Sequence, residues 1–113
     1  MKKSILFLRS NKWGFGADSD LVEQETACRR YAKENGLTVV KVFEQSPWNS
    51  IRVDLFAAAL KYVQKHPSIE SILICRWSNL DDYKDRWIHK VAEFRKAGVR
   101  VIFVINQSTK EKV

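Results

Sequence analysis

The sequence predicts an α/β domain, three layers deep, with helices on both faces of a mostly parallel sheet of four or more strands. Three observations carry that expectation. Four short apolar runs are nearly continuous rather than alternating, the pattern of strands covered on both faces. Three longer segments space their apolar residues at helical intervals. The two kinds of segment alternate as β-α-β-α-β-α-β, an order that needs crossover connections, and those are right-handed in such sheets.

The first run, 3–8, holds Ile5, Leu6, Phe7 and Leu8 and is expected to be the first strand. The first helix is expected over 20–35, with Asp20 as N-cap, Glu23 three residues on as its capping-box partner, and Gly36 as the stop. The second strand is expected at 38–43. A second helix over 51–66 places Leu55, Phe56, Ala59, Leu60 and Val63 on one stripe before Pro67 ends it. The third strand is expected at 71–76. A third helix over 81–96 carries Trp87, Ile88, Val91 and Phe94 on one face and stops at Gly98. The fourth strand is expected at 99–105, followed by a polar tail from about residue 107.

A chain of 113 residues fits one domain, 1–113, and no stretch reaches the length of about 18 apolar residues that a membrane span needs. The basic start Met1-Lys2-Lys3 is followed by an apolar run too short for a secretory signal, so a cytoplasmic location is expected. Cys28 and Cys75 lack metal-ligand spacing and read as buried thiols, while His66 and His89 stand alone on helices. No metal and no cofactor is expected. The net charge of +7 favours a polyanion, but the basic residues are spread over the helices, so solvated helix faces and a DNA-binding stripe are equally open.

Ligands of open α/β sheets gather at the C-terminal ends of the strands, here 9–15, 44–50, 76–82 and 106–109. Gly14-Phe15-Gly16 after the first strand is reminiscent of a dinucleotide fingerprint, with Glu44 ending the second strand. The expected helix start at Asp20, and Ser19 where a third glycine belongs, favour a surface loop instead. Trp13, Trp48 and Trp77 each follow a different strand. They are expected to cap the edge of the core; the sharper alternative is a binding rim that includes Arg76.

The most specific signal is the run from Asp20-Leu21 through Gln24 and Cys28 to Tyr31-Ala32 and Gly36. It closely resembles the S-L-x-x-Q-x-x-x-C-x-x-Y-A-x-x-x-G signature of the serine site-specific recombinases. The likeness extends to Leu8-Arg9, to the second strand, to Arg52 and to residues 72–80, and so covers nearly the whole chain. It implies a resolvase-type fold. In that family a serine attacks a DNA phosphodiester while arginines neutralise the transition state, since phosphoryl transfer is mostly positioning and charge stabilisation. Carried over residue by residue, the resemblance keeps Arg9, Gln24 and Arg52. It puts Asn11 at the nucleophile position, Ser78 at the aspartate of the D-R-L-x-R motif, and Asn79 and Asp82 at its two arginines. An amide cannot form the phosphodiester link, and a carboxylate at Asp82 reverses the local field. The resemblance therefore implies a pseudoenzyme that acts as a binding or interaction module, and by family association alone a link to DNA recombination or mobile elements. The alternative is an active, divergent recombinase that cleaves through Ser10, although strand alternation sets Ser10 on the face opposite Arg9. The expected partner is DNA, bound weakly, or a protein, with a homo-oligomer left open. The family continues beyond its fourth strand into a further strand and a long helix, and this sequence ends at Val113 without them, so sequence-specific binding of recombination sites is not expected.

Overall fold

The structure, a computed structural model, describes residues 2–10, 15–45, 54–81 and 83–105. Its elements run β1 (Lys2–Arg9), α1 (Phe15–Glu34), β2 (Leu37–Gln45), α2 (Leu55–Lys65), β3 (Ile69–Ile74), α3 (Trp77–Leu80), α4 (Lys84–Lys96) and β4 (Arg100–Phe103). The four strands form one sheet in the order β2-β1-β3-β4, and every pairing is parallel.

The near-continuous apolar run of β1 is explained by two cores. Ile5 and Phe7 point into one, with Leu55, Ala59 and Val63 of α2 and Phe94 of α4. Leu6 and Leu8 point into the other, with Leu21, Cys28 and Ala32 of α1. Helix α1 thus covers one face, and α2 and α4 cover the other. Residues 5–8 of this central strand are at most 1% exposed, which suits a strand sandwiched between helical layers. Ser4 and Ser71 join their hydroxyls at 2.7 Å between β1 and β3, so neither is left unpaired in the core.

Several boundaries correct the sequence expectations. Helix α1 opens at Phe15, not Asp20, so Asp20 is no cap and the Asp20/Glu23 capping box is not formed. The side chain of Asp20 instead accepts from Gln24 Nε2 one turn on, at 3.1 Å. Helix α2 starts at Leu55 rather than Ile51, because Asp54 caps it: its backbone is extended and its Oδ1 accepts from the N–H of Ala57 at 3.1 Å. The helix expected over 81–96 is two pieces, α3 and α4, with extended backbone at Asp81 and Tyr83 between them. Strand β3 ends at Ile74, two residues short of Arg76, because Arg76 caps α3. Strand β4 is shorter than the expected 99–105, although Ile105 N–H still bonds Cys75 O at 3.0 Å.

Both expected glycine stops hold. Gly36 and Gly98 have φ of +67° and +86°, a left-handed conformation that glycine adopts without the penalty a Cβ brings. Among the described residues, no helix is long and apolar enough to cross a membrane.

Candidate functional site

Strand order reverses direction at β1. The chain leaves it through α1 to β2 on one side, and returns through α2 to β3 on the other. The C-terminal ends of β1 and β3 therefore flank the switch point, where open α/β sheets place their ligands. Arg9 ends β1, and residues 76–79 follow β3.

Four of the predicted residues meet there. Gln24 is fully buried, and its amide pairs with the peptide of Arg9 in both directions. Its Oε1 accepts from Arg9 N–H at 3.1 Å and its Nε2 donates to Arg9 O at 2.9 Å, as a neighbouring strand would. Asn79 closes the crevice from the other side. Its Nδ2 donates to the same Arg9 carbonyl at 3.2 Å, while its Oδ1 accepts from Arg76 N–H at 3.0 Å. The guanidinium of Arg9 reaches across to donate to Ser78 O at 3.3 Å. Arg9, Gln24, Ser78 and Asn79 thus form one hydrogen-bonded bridge between the two strand ends. Asn11, Arg52 and Asp82, with Trp13, Trp48 and the loop 106–109, lie outside the described residues.

Ser10 is 4% exposed, and its N–H donates to Gln45 O at 3.0 Å, extending the β1–β2 ladder. Arg76 lies half-buried at the rim. It stands 3.9 Å from Glu23 of α1, a contact between exposed side chains that adds little stability. Trp77 does not lie in a loop: it opens α3, and its ring lies 5.8 Å from that of Trp87, which in turn meets Phe103 edge-on at 5.5 Å. This packs Trp77 into the border of the core. Gly16 sits in the first turn of α1, contrary to the expectation of a loop there; Gly14 is outside the described residues.

Sequence reasoning missed Asp81. Its side chain is 8% exposed, with Lys90 Nζ at 2.8 Å and Arg86 Nε at 3.3 Å, and Oδ1 accepts from Tyr83 N–H at 3.1 Å. Burial alone would raise its pKa, but the Lys90 ammonium, the Tyr83 N–H and the Arg86 charge outweigh that and hold the carboxyl below the ordinary range. These partners lie five and nine residues on, across a break between helices, so no helical spacing announces them. The thiols fit the buried reading. Burial, with the neighbouring Cys75 and Glu25, pushes Cys28 up to about 12, and burial also raises Cys75 despite Arg76. Among the described residues, no three His, Cys, Asp or Glu side chains group to hold a metal ion.

No family model matches the chain, and no curated protein does. Solved structures do. The catalytic domain of TP901-1 integrase superposes with a TM-score of 0.79 at 15% identity, covering 95% of this chain and 80% of that one. A resolvase family site-specific recombinase from Streptococcus pneumoniae gives 0.79 at 14% identity, over 94% and 74%. The C-terminal catalytic domain of ISC1926 TnpA, an IS607-like serine recombinase, gives 0.74 at 19% identity, over 97% and 77%. The chain has the fold of a serine recombinase catalytic domain.

Proposed function

We propose that this is a serine-recombinase-like domain connected with DNA recombination that does not cut DNA and acts as a binding or interaction module. The observation that carries the reading is the double engagement of Asn79. The resemblance puts an arginine of the phosphate-binding cluster at this position. Here the side chain is a neutral amide whose two ends tie Arg9 O to Arg76 N–H. A donor committed to a backbone carbonyl is not poised for a developing phosphorane charge. Loss of one preorganised donor typically costs about 10²–10³ in rate, and the resemblance removes two arginines and the nucleophile together. The alternative nucleophile, Ser10, is buried, so a phosphate would reach its hydroxyl only after local opening. Basic charge, at +7 overall, suits weak association with DNA.

The test is incubation with nicked suicide DNA substrates, followed by denaturing electrophoresis and intact mass. The expected result is no covalent adduct. An adduct that vanishes in Ser10→Ala would establish the active alternative instead.

A further inference from the structure

The far edge of the sheet carries a feature unrelated to the β1–β3 crevice. In the β1–β2 ladder Ser4 pairs with Val39 but Ile5 pairs with Lys41, so Val40 is an extra, bulged residue. A bulge inverts the alternation beyond it. Leu37 and Val39 pack with the α1 core, whereas Phe43 packs against the α2 core. The inversion therefore turns Lys41 and Phe43 together toward α2, where they meet Ala58, Lys61, Tyr62 and Lys65 in an open groove of about 320 Å³.

Aromatic and basic groups are interleaved there. Phe43 and Tyr62 meet edge to face at 5.6 Å, and Lys41 Nζ lies 5.8 Å and 6.0 Å from their ring centres. His66 stacks on Tyr62 at 4.1 Å and its Nδ1 lies 2.8 Å from Tyr62 O, which fixes the ring. The Phe43 and Tyr62 rings are half-buried, and His66, Lys41, Lys61 and Lys65 are exposed above them. No carboxylate is among the described residues that line the groove.

We propose that this groove binds single-stranded nucleic acid, its lysines holding phosphates and its rings taking a base. Lysines alone would accept any polyanion. Half-buried rings in their midst favour unpaired bases, which expose the π-faces that a duplex hides. The groove lies on the β2 edge and its use does not depend on whether the β1–β3 crevice cleaves DNA, so an adduct in the suicide-substrate assay would leave it untouched.

The test is fluorescence anisotropy of a labelled oligothymidine of about twelve nucleotides with the full chain, against a duplex and an acidic peptide of similar charge. The triple variant Lys41→Gln, Lys61→Gln, Lys65→Gln is expected to bind about tenfold more weakly, with a salt slope shallower by about 2. A control triple, Lys33→Gln, Lys84→Gln, Lys96→Gln, removes the same charge from exposed helix positions elsewhere and is expected to stay within about threefold of the parent. Tyr62→Leu, with its fold checked by circular dichroism, is expected to lose affinity without a change in salt slope, because the ring carries no charge. Equal losses in the two triple variants, tighter binding of the duplex or the peptide, unchanged affinity in Tyr62→Leu, or no binding by the parent would each overturn the proposal.

Discussion

Replacing Gln24 by leucine isolates the bridge at the strand ends. Leucine is close to glutamine in size, so the buried space stays filled and the loss is mainly polar. Two hydrogen bonds to the Arg9 peptide disappear, at 3.1 and 2.9 Å. Arg9 O keeps Asn79 Nδ2 as a donor, so its loss is small. Arg9 N–H loses the acceptor that Oε1 supplies, and losing this part-buried bond costs about 1–3 kcal/mol. The Asp20 contact belongs to a half-exposed carboxylate that water can serve. Gln24→Leu should therefore destabilise by about 2–3 kcal/mol, lowering Tm by about 10–20 °C, measured by urea and thermal unfolding. Gln24→Glu sharpens the test. One carboxylate oxygen can still accept from Arg9 N–H, but the other faces Arg9 O and Asp20 with no proton to donate. Folding then favours the protonated acid and raises its pKa. Relative to the parent, this variant is most stable below the free glutamate pKa of about 4.3, and loses stability as pH rises through the raised folded value. A leucine variant within about 0.5 kcal/mol of the parent, or a glutamate variant insensitive to pH, would refute the clamp.

Three further outcomes are expected. Asp81→Asn should destabilise by about 2 kcal/mol at neutral pH, mostly through Lys90, because Arg86 is largely exposed and screened. Since the Asp81 carboxyl is held below its ordinary pKa, its stabilisation is present above the unfolded value of about 3.9 and is lost as pH falls through the folded one; parent and variant should converge in urea melts below that point. Both thiols should resist a disulfide reagent at pH 8 in the native protein and react at once in denaturant, since Cys28 is pushed up to about 12 and Cys75 is also raised; rapid native labelling would contradict their burial. Asn79→Arg should cost about 1–3 kcal/mol, as Arg76 N–H loses an acceptor that a guanidinium cannot supply, and should yield no covalent DNA adduct.

The strands were legible because their burial is two-sided. Ile5 to Leu8 are apolar without interruption, and each of the four residues finds a core on one face or the other. The glycine stops were legible for a local reason as well, the left-handed turn at Gly36 and Gly98. Helix starts were not. Asp20, the expected cap, does not cap, because the helix around it extends back to Phe15 and Asp20 bonds Gln24 instead; Asp54, expected inside the second helix, is the residue that caps. The break at Asp81 was hidden because an acidic residue ahead of an amphipathic run resembles a helix first turn, whereas its charge is met by Lys90 and Arg86 in the tertiary fold. Gln24 and Asn79 were picked out through their positions in a family pattern, and what their amides do became visible only with the Arg9 peptide between them.

That shared peptide has a structural role of its own. Arg9 O accepts from Gln24 of α1 and Asn79 of α3 at once, so a single carbonyl joins the helical layers across the switch point. An arginine in place of Asn79 could not reproduce both bonds, because a guanidinium has no acceptor to offer Arg76 N–H. Among the described residues, the amides of Gln24 and Asn79 are bonded to the Arg9 peptide and to Arg76 N–H, and the Asp81 carboxylate is paired with Lys90 and Arg86. A site built to receive an anion keeps unpaired donors facing solvent; around Arg9 the described amide donors face carbonyls and Asp20.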